Sequence, residues 1–248
     1  MNRTMAERVD GVHERRRRLL IQALSAGWLV GGLGWTLPAA ASVFGKLPGR
    51  MPPGKSVFDL RGDVRINGVR ATPETLIGAE SSIETGEGSF AVIAIGDGAF
   101  ILREKSVLEI GGSKLLVRSL RMISGALLSA FGHRDEDQRI IVNTPVATIG
   151  IRGTGFYTES LTDRTYFCTC YGHTELQTAD GAESASIRSK HHDAARYILA
   201  QPLDGRRIVA APFKDHTDLE LMTLEALCGR SVPFAITQDL YNSPHRGY

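Results

Sequence analysis

Turn signals recur about every 8–14 residues between Val57 and Gln177, with apolar runs of about 4–6 residues between them. No 3.6-residue apolar period interrupts this stretch, so a parallel sheet built on crossover helices is excluded. Val64 and Ile66 lead through Asn67-Gly68 into Val69 and Ala71, a hairpin pattern whose turn needs positive φ. Phe90–Ile95 ends in Gly96-Asp97-Gly98, Phe100 and Leu102 alternate with Ile101 and Arg103, and Val107–Ile110 ends in Gly111-Gly112. Short runs follow at Lys114–Val117 and Arg121–Ile123, closed by Gly125. The pattern predicts an all-β roll, solenoid or sandwich of short strands.

A different segment precedes the strands. Arg15-Arg16-Arg17-Arg18 is followed by a stretch from Leu19 to Gly45 without a charge, ending near Ala39-Ala40-Ala41. That is the order of a signal peptide, with cleavage before Ser42; the arginine run also resembles a twin-arginine leader. The same stretch reaches the length of a membrane anchor across residues 19–41, so the inner membrane is a second destination for it. Either outcome places the body in the periplasm or on the extracytoplasmic face of the membrane. Residues 1–41 carry six arginines and three acids, which leaves 23 of the 29 basic and 24 of the 27 acidic residues in the body. A body that is not basic excludes a nucleic-acid binder resting on phosphate contacts.

The Gly- and Pro-rich residues 42–55 read as a linker, followed by a β-domain over 56–177 and an extension over 178–248. Gly62-Asp63-Val64-Arg65-Ile66-Asn67-Gly68, Glu84–Ser89 with Gly96-Asp97-Gly98, and above all the stretch from Thr144-Pro145 to Arg152-Gly153-Thr154-Gly155-Phe156 carry a family likeness. Residues 59–177 resemble the FecR domain, an extracytoplasmic β-domain. The resemblance implies regulation or scaffolding rather than catalysis, and an envelope protein or other extracytoplasmic ligand as partner. Sigma-factor regulators of this family carry a helical domain ahead of the membrane segment; only 14 residues precede the arginine run here, so the sequence predicts none. Pro145 should open a strand or lie on an edge, and Gly153 and Gly155 should mark a bulge or a close backbone approach.

The cysteines are Cys168, Cys170 and Cys228. Thr165–Gly172 reads as a strand, which puts Tyr166, Cys168 and Cys170 on one face and Phe167, Thr169 and Tyr171 on the other. Thiols two apart on a strand stand parallel, at or beyond disulfide reach, and suit a shared metal ion better than a bond to each other. His191, His192 and His216 are the partner ligands expected, with His173 a further candidate, and soft sulfur with imidazole points to Zn or Cu. Adjacent His191 and His192 face opposite ways if extended, so only one should bind unless the segment is irregular. A disulfide from either strand cysteine to Cys228 is the competing arrangement. Thr217-Asp218-Leu219-Glu220 forms a capping box that predicts a helix over about 218–228, stopped by Gly229. No phosphate loop, nucleophile elbow or His-Glu-x-x-His occurs, so no catalytic residue is assigned. The expected protein is an exported, non-enzymatic binding, sensing or regulatory module, with a metal-binding or redox protein as the alternative.

Overall fold

The computed structural model describes residues 47–135 and 138–234. The leader over 1–41, linker residues 42–46 and His245 lie outside the described residues. Among those described, no helix is long and apolar enough to cross a membrane.

The described residues form fifteen strands and one helix. The first seven strands are β1 (Val57–Arg61), β2 (Val64–Ile66), β3 (Val69–Arg70), β4 (Ser82–Thr85), β5 (Phe90–Ile95), β6 (Gly98–Leu102) and β7 (Val107–Ser113). They are followed by β8 (Leu116–Phe131), β9 (Ile140–Asn143), β10 (Ala147–Ile151), β11 (Gly155–Ser160) and β12 (Arg164–Thr178). The last are β13 (Ser184–Ser189), β14 (Ala194–Leu203), β15 (Arg206–Ala210) and the helix α1 (Asp218–Leu227).

The all-β expectation holds, but two strands are not short. β8 has 16 residues and β12 has 15, and each runs through both of two sheets. The first sheet has the order β1-β5-β6-β8-β11-β12-β14-β15. The second has β3-β2-β4-β7-β8-β9-β10-β12-β13. The crossing points are Gly125 (φ 84°) and Gly172 (φ 93°). β8 pairs with β7 up to Ser124 and with β11 from Gly125. β12 pairs with β11 up to Tyr171 and with β13 from Gly172. A left-handed residue in mid-strand turns the chain from one layer to the other, which only glycine does without steric cost. Gly125 therefore bends one strand rather than closing two short runs.

Alternation then sorts the apolar residues. Ile93, Phe100, Leu127, Phe156 and Phe167 point from the first sheet into a core shared with Ile83, Leu108, Leu120, Val142, Ile149 and Leu176 of the second. Ile101, Leu128, Tyr157, Tyr166, Cys168 and Cys170 are buried on the first sheet's other face. There the helix α1 packs, touching β8 and β6 and burying Leu221, Leu224 and Leu227. The capping box forms as expected, with Glu220 N donating to Thr217 Oγ1 at 3.3 Å and Thr217 N donating to Glu220 Oε2 at 2.9 Å. Gly229 (φ 73°) ends the helix.

The marker turns are structural. Asn67 (φ 52°) and Gly68 (φ 77°) make the two-residue hairpin between β2 and β3. Thr144-Pro145 forms the turn between β9 and β10, where Ala147 N donates to Thr144 Oγ1 at 3.0 Å. Arg152 binds Glu175 at 2.7 Å across the sheet. Strands continue beyond residue 177, because β13 and β14 both pair with β12.

Candidate metal centre

The centre lies between the outer face of the first sheet and the N-terminus of α1. β12 supplies Cys168 and Cys170, both fully buried. His192 comes from the turn between β13 and β14, where its N–H donates to the Cys170 carbonyl at 2.7 Å and its φ is 54°. That turn is held by Asp193, whose Oδ2 accepts from Lys190 N at 2.7 Å and His191 N at 3.2 Å. His216 enters two residues ahead of the helix and is fully buried.

One donor atom from each of these four residues falls within 4.8 Å of the others, a group able to hold a metal ion. Cys168 Sγ lies 3.7 Å from His192 Nδ1, and Cys170 Sγ 3.3 Å from His216 Nε2. His216 Nε2 and His192 Nδ1 are 3.1 Å apart. A tetrahedral zinc ion, with bonds of about 2.3 Å to sulfur and 2.0–2.1 Å to nitrogen, spaces its ligands by about 3.3 Å for N···N and about 3.5 Å for S···N. These three separations stand within a few tenths of an ångström of those values, and the others fall within 4.8 Å.

The outer hydrogen bonds fix which ring nitrogens face inward. His216 Nδ1 lies 2.7 Å from the Lys214 carbonyl oxygen, which only accepts, so Nδ1 carries the proton and Nε2 presents a lone pair. His192 Nε2 lies 3.0 Å from Asp218 Oδ1 and donates to it, so Nδ1 is the nitrogen turned toward the cluster, with a lone pair whenever the ring is neutral. Two lone pairs facing one another across 3.1 Å repel unless a proton or a cation lies between them. Aromatic contacts flank the rings: Tyr157 stacks 4.7 Å from His216, and Phe213 meets both imidazoles at 4.6 Å in tilted or edge-on geometry.

The electrostatics are uneven. The hydrogen bond with Cys170 holds the Cys168 thiol well below its usual value against the opposing effect of burial, helped by His216 and His192. Burial pushes the Cys170 thiol well up. Burial alone would lower the His192 imidazole, but its bonds to Asp218 and Cys168 carry it above the ordinary value. Burial would raise Asp218, and the bonds from His191 and His192 outweigh it, leaving the carboxyl below the usual range.

Of the residues the sequence singled out, Cys168, Cys170, His192 and His216 meet. His191 does not join them: its Nε2 reaches Asp218 Oδ1 at 2.9 Å, in a second group of His191, His192 and Asp218. The irregular turn keeps the two adjacent imidazoles side by side, ring centres 4.8 Å apart and both on Asp218 Oδ1, with His192 the one grouped with the thiols. His173 is outside the cluster, 2.9 Å from Ser186 Oγ. Cys228 is only partly buried at the far end of α1, its thiol free and pushed up to about 11 by burial. Tyr171 departs from the expected face. A bulge where Gly155 and Phe156 oppose Tyr171 and Thr169 shifts the register, so its hydroxyl reaches Glu225 of the helix. Asp218 and the Lys214 carbonyl, which orient the two imidazoles, escaped sequence reasoning. The only signal for Asp218 was its place beside His216 in the capping box.

Fold and site together define a two-sheet β-domain with a buried Cys2His2 donor set beneath its C-terminal helix. Residues 81–172 match the model of the FecR protein family. The match includes Cys168 and Cys170 and ends before His192 and His216. No curated protein matches the chain. Among solved structures, two crystal structures of a candidate anti-sigma factor from Parabacteroides distasonis ATCC 8503 are similar. They share 14% and 15% identity over 48% of this chain and 55% of that one, each with a TM-score of 0.41.

Proposed function

We propose that this chain is an exported, non-enzymatic sensing or regulatory module of the bacterial cell envelope, and that Cys168, Cys170, His192 and His216 bind zinc or copper as its responsive site. The FecR domain supports the regulatory part of this reading, and the leader order of residues 1–41 supports the extracytoplasmic location, with an envelope protein as partner. The observation that carries the metal is the convergence of two thiols and two imidazole lone pairs, each imidazole backed by its own outer acceptor. Burial of all four donors leaves no route for an ordinary substrate, so the centre fits a bound ion better than a nucleophile–base pair.

Metal content tests this. Protein purified from the envelope should carry about one ion per chain. Cys168→Ser, Cys170→Ser, His192→Ala and His216→Ala should each lose most of it, while Cys228→Ser and His173→Ala keep it. Wild-type protein without metal, and two daltons lighter than the fully reduced chain, would point to a disulfide instead.

A further inference from the structure

The donors come from three separate parts of the chain, and one of those parts is the entrance to the helix. His216 precedes the N-cap Thr217, and Asp218, the first helical residue, accepts the hydrogen bond from His192. The helix has only 10 residues, a length that is not stable alone in water, so its existence depends on its docking. Toward its C-terminal end it is tied by Glu225, which accepts from Tyr171 and from Arg230, and by Met51 N donating to the Leu227 carbonyl at 2.9 Å. In its first turn, Glu220 binds Arg103 at 2.7 Å. The remaining attachment of that turn to β12 and to the turn bearing His192 runs through the Cys2His2 centre and Asp218.

Charge selects the ion. Two thiolates and two neutral imidazoles neutralise a divalent cation. A monovalent copper ion would leave a net negative charge buried beside the Asp218 carboxylate, which is costly in a dry site. All four positions are filled by protein, the closed arrangement of a structural zinc site.

Resting on the metal reading above, we propose that the centre is a zinc clasp that fastens the N-terminal end of α1 to the first sheet, so that zinc occupancy sets whether this end of the helix is docked. Without the ion, the bonds that join His216 through the metal to the two strand thiols and to His192 are gone, and the segment carrying His216, Thr217 and Asp218 is freed to move.

Hydrogen exchange on the full chain reads this directly, comparing the zinc-loaded protein, the same protein stripped by a chelator, and the stripped protein given zinc again. Amides of residues 213–223 should exchange about tenfold faster or more on stripping, with β5, β6 and the second half of β8 unchanged, and zinc should restore protection. Stoichiometric zinc binding with identical exchange in both states would overturn the clasp and leave the metal site standing. Failure to bind either zinc or copper would remove the metal reading together with the clasp. Copper in place of zinc in the protein as purified would overturn the choice of ion.

Discussion

Gly153→Val should destabilise the folded protein by about 4 kcal/mol, lowering the melting temperature by on the order of 10 °C. Gly153 has a φ of 73°, and a Cβ added there would lie 2.4 Å from His133 Cα and 2.8 Å from the Gly132 carbonyl oxygen. Both are backbone atoms, so no side-chain rotation relieves the clash, and a β-branched residue at positive φ adds its own strain. Gly68→Ala provides the contrast. Its φ is 77°, but nothing lies within 4 Å of the added Cβ, so the cost should stay near 1–2 kcal/mol from conformation alone. Thermal melts of the two variants separate a close backbone approach from a mere turn preference. Equal losses would mean that the Arg152-Gly153-Thr154 marker does not hold the chain against the 132–133 segment.

The second large effect is the loss of the ion. At free zinc about 1,000-fold above its dissociation constant, binding stabilises the fold by about 4 kcal/mol. Chelation should therefore lower the melting temperature by on the order of 10 °C for a domain of this size. Cys170→Ser should melt near the stripped wild type and respond little to the chelator, whereas Cys228→Ser should show the full wild-type shift. Thiolate ligands bind only when deprotonated, so protons compete with the metal and affinity falls as pH falls. The chelator-induced shift should accordingly shrink on acidification. A shift of the same size in Cys170→Ser and wild type would separate the stabilisation from this centre.

The strand pattern was legible because a half-buried sheet leaves its mark as alternation, and because Asn67-Gly68 and Gly96-Asp97 turn where only a few residue types fit. Gly125 and Gly172 were harder to interpret. A glycine that ends a strand and a glycine that passes a strand from one sheet to another look alike in sequence, and only the partners on either side distinguish them. The same period-2 argument placed Cys168 and Cys170 correctly and Tyr171 wrongly, since a one-residue bulge opposite Gly155 reverses every face after it. For the histidines, their crowding after the Cys-x-Cys strand pointed to the residues that meet, and the local turn decided which of the adjacent pair joins the thiols. His192 adopts a φ of 54° and turns inward, while His191 is left to bind Asp218. Asp218 itself was read only as part of a cap. Its role as the acceptor that orients His192 depends on a contact across 26 positions of sequence, which no local pattern records.

In the proposed centre, two sulfurs and two nitrogens of this chain close around one ion. The zinc K-edge absorption spectrum of the purified full-length protein tests it most directly. The expected result is a four-coordinate site with two sulfur neighbours at about 2.3 Å and two nitrogen neighbours at about 2.0–2.1 Å, with the zinc signal largely lost in Cys168→Ser. A first shell of oxygen and nitrogen without sulfur, or a spectrum unchanged by that substitution, would contradict it.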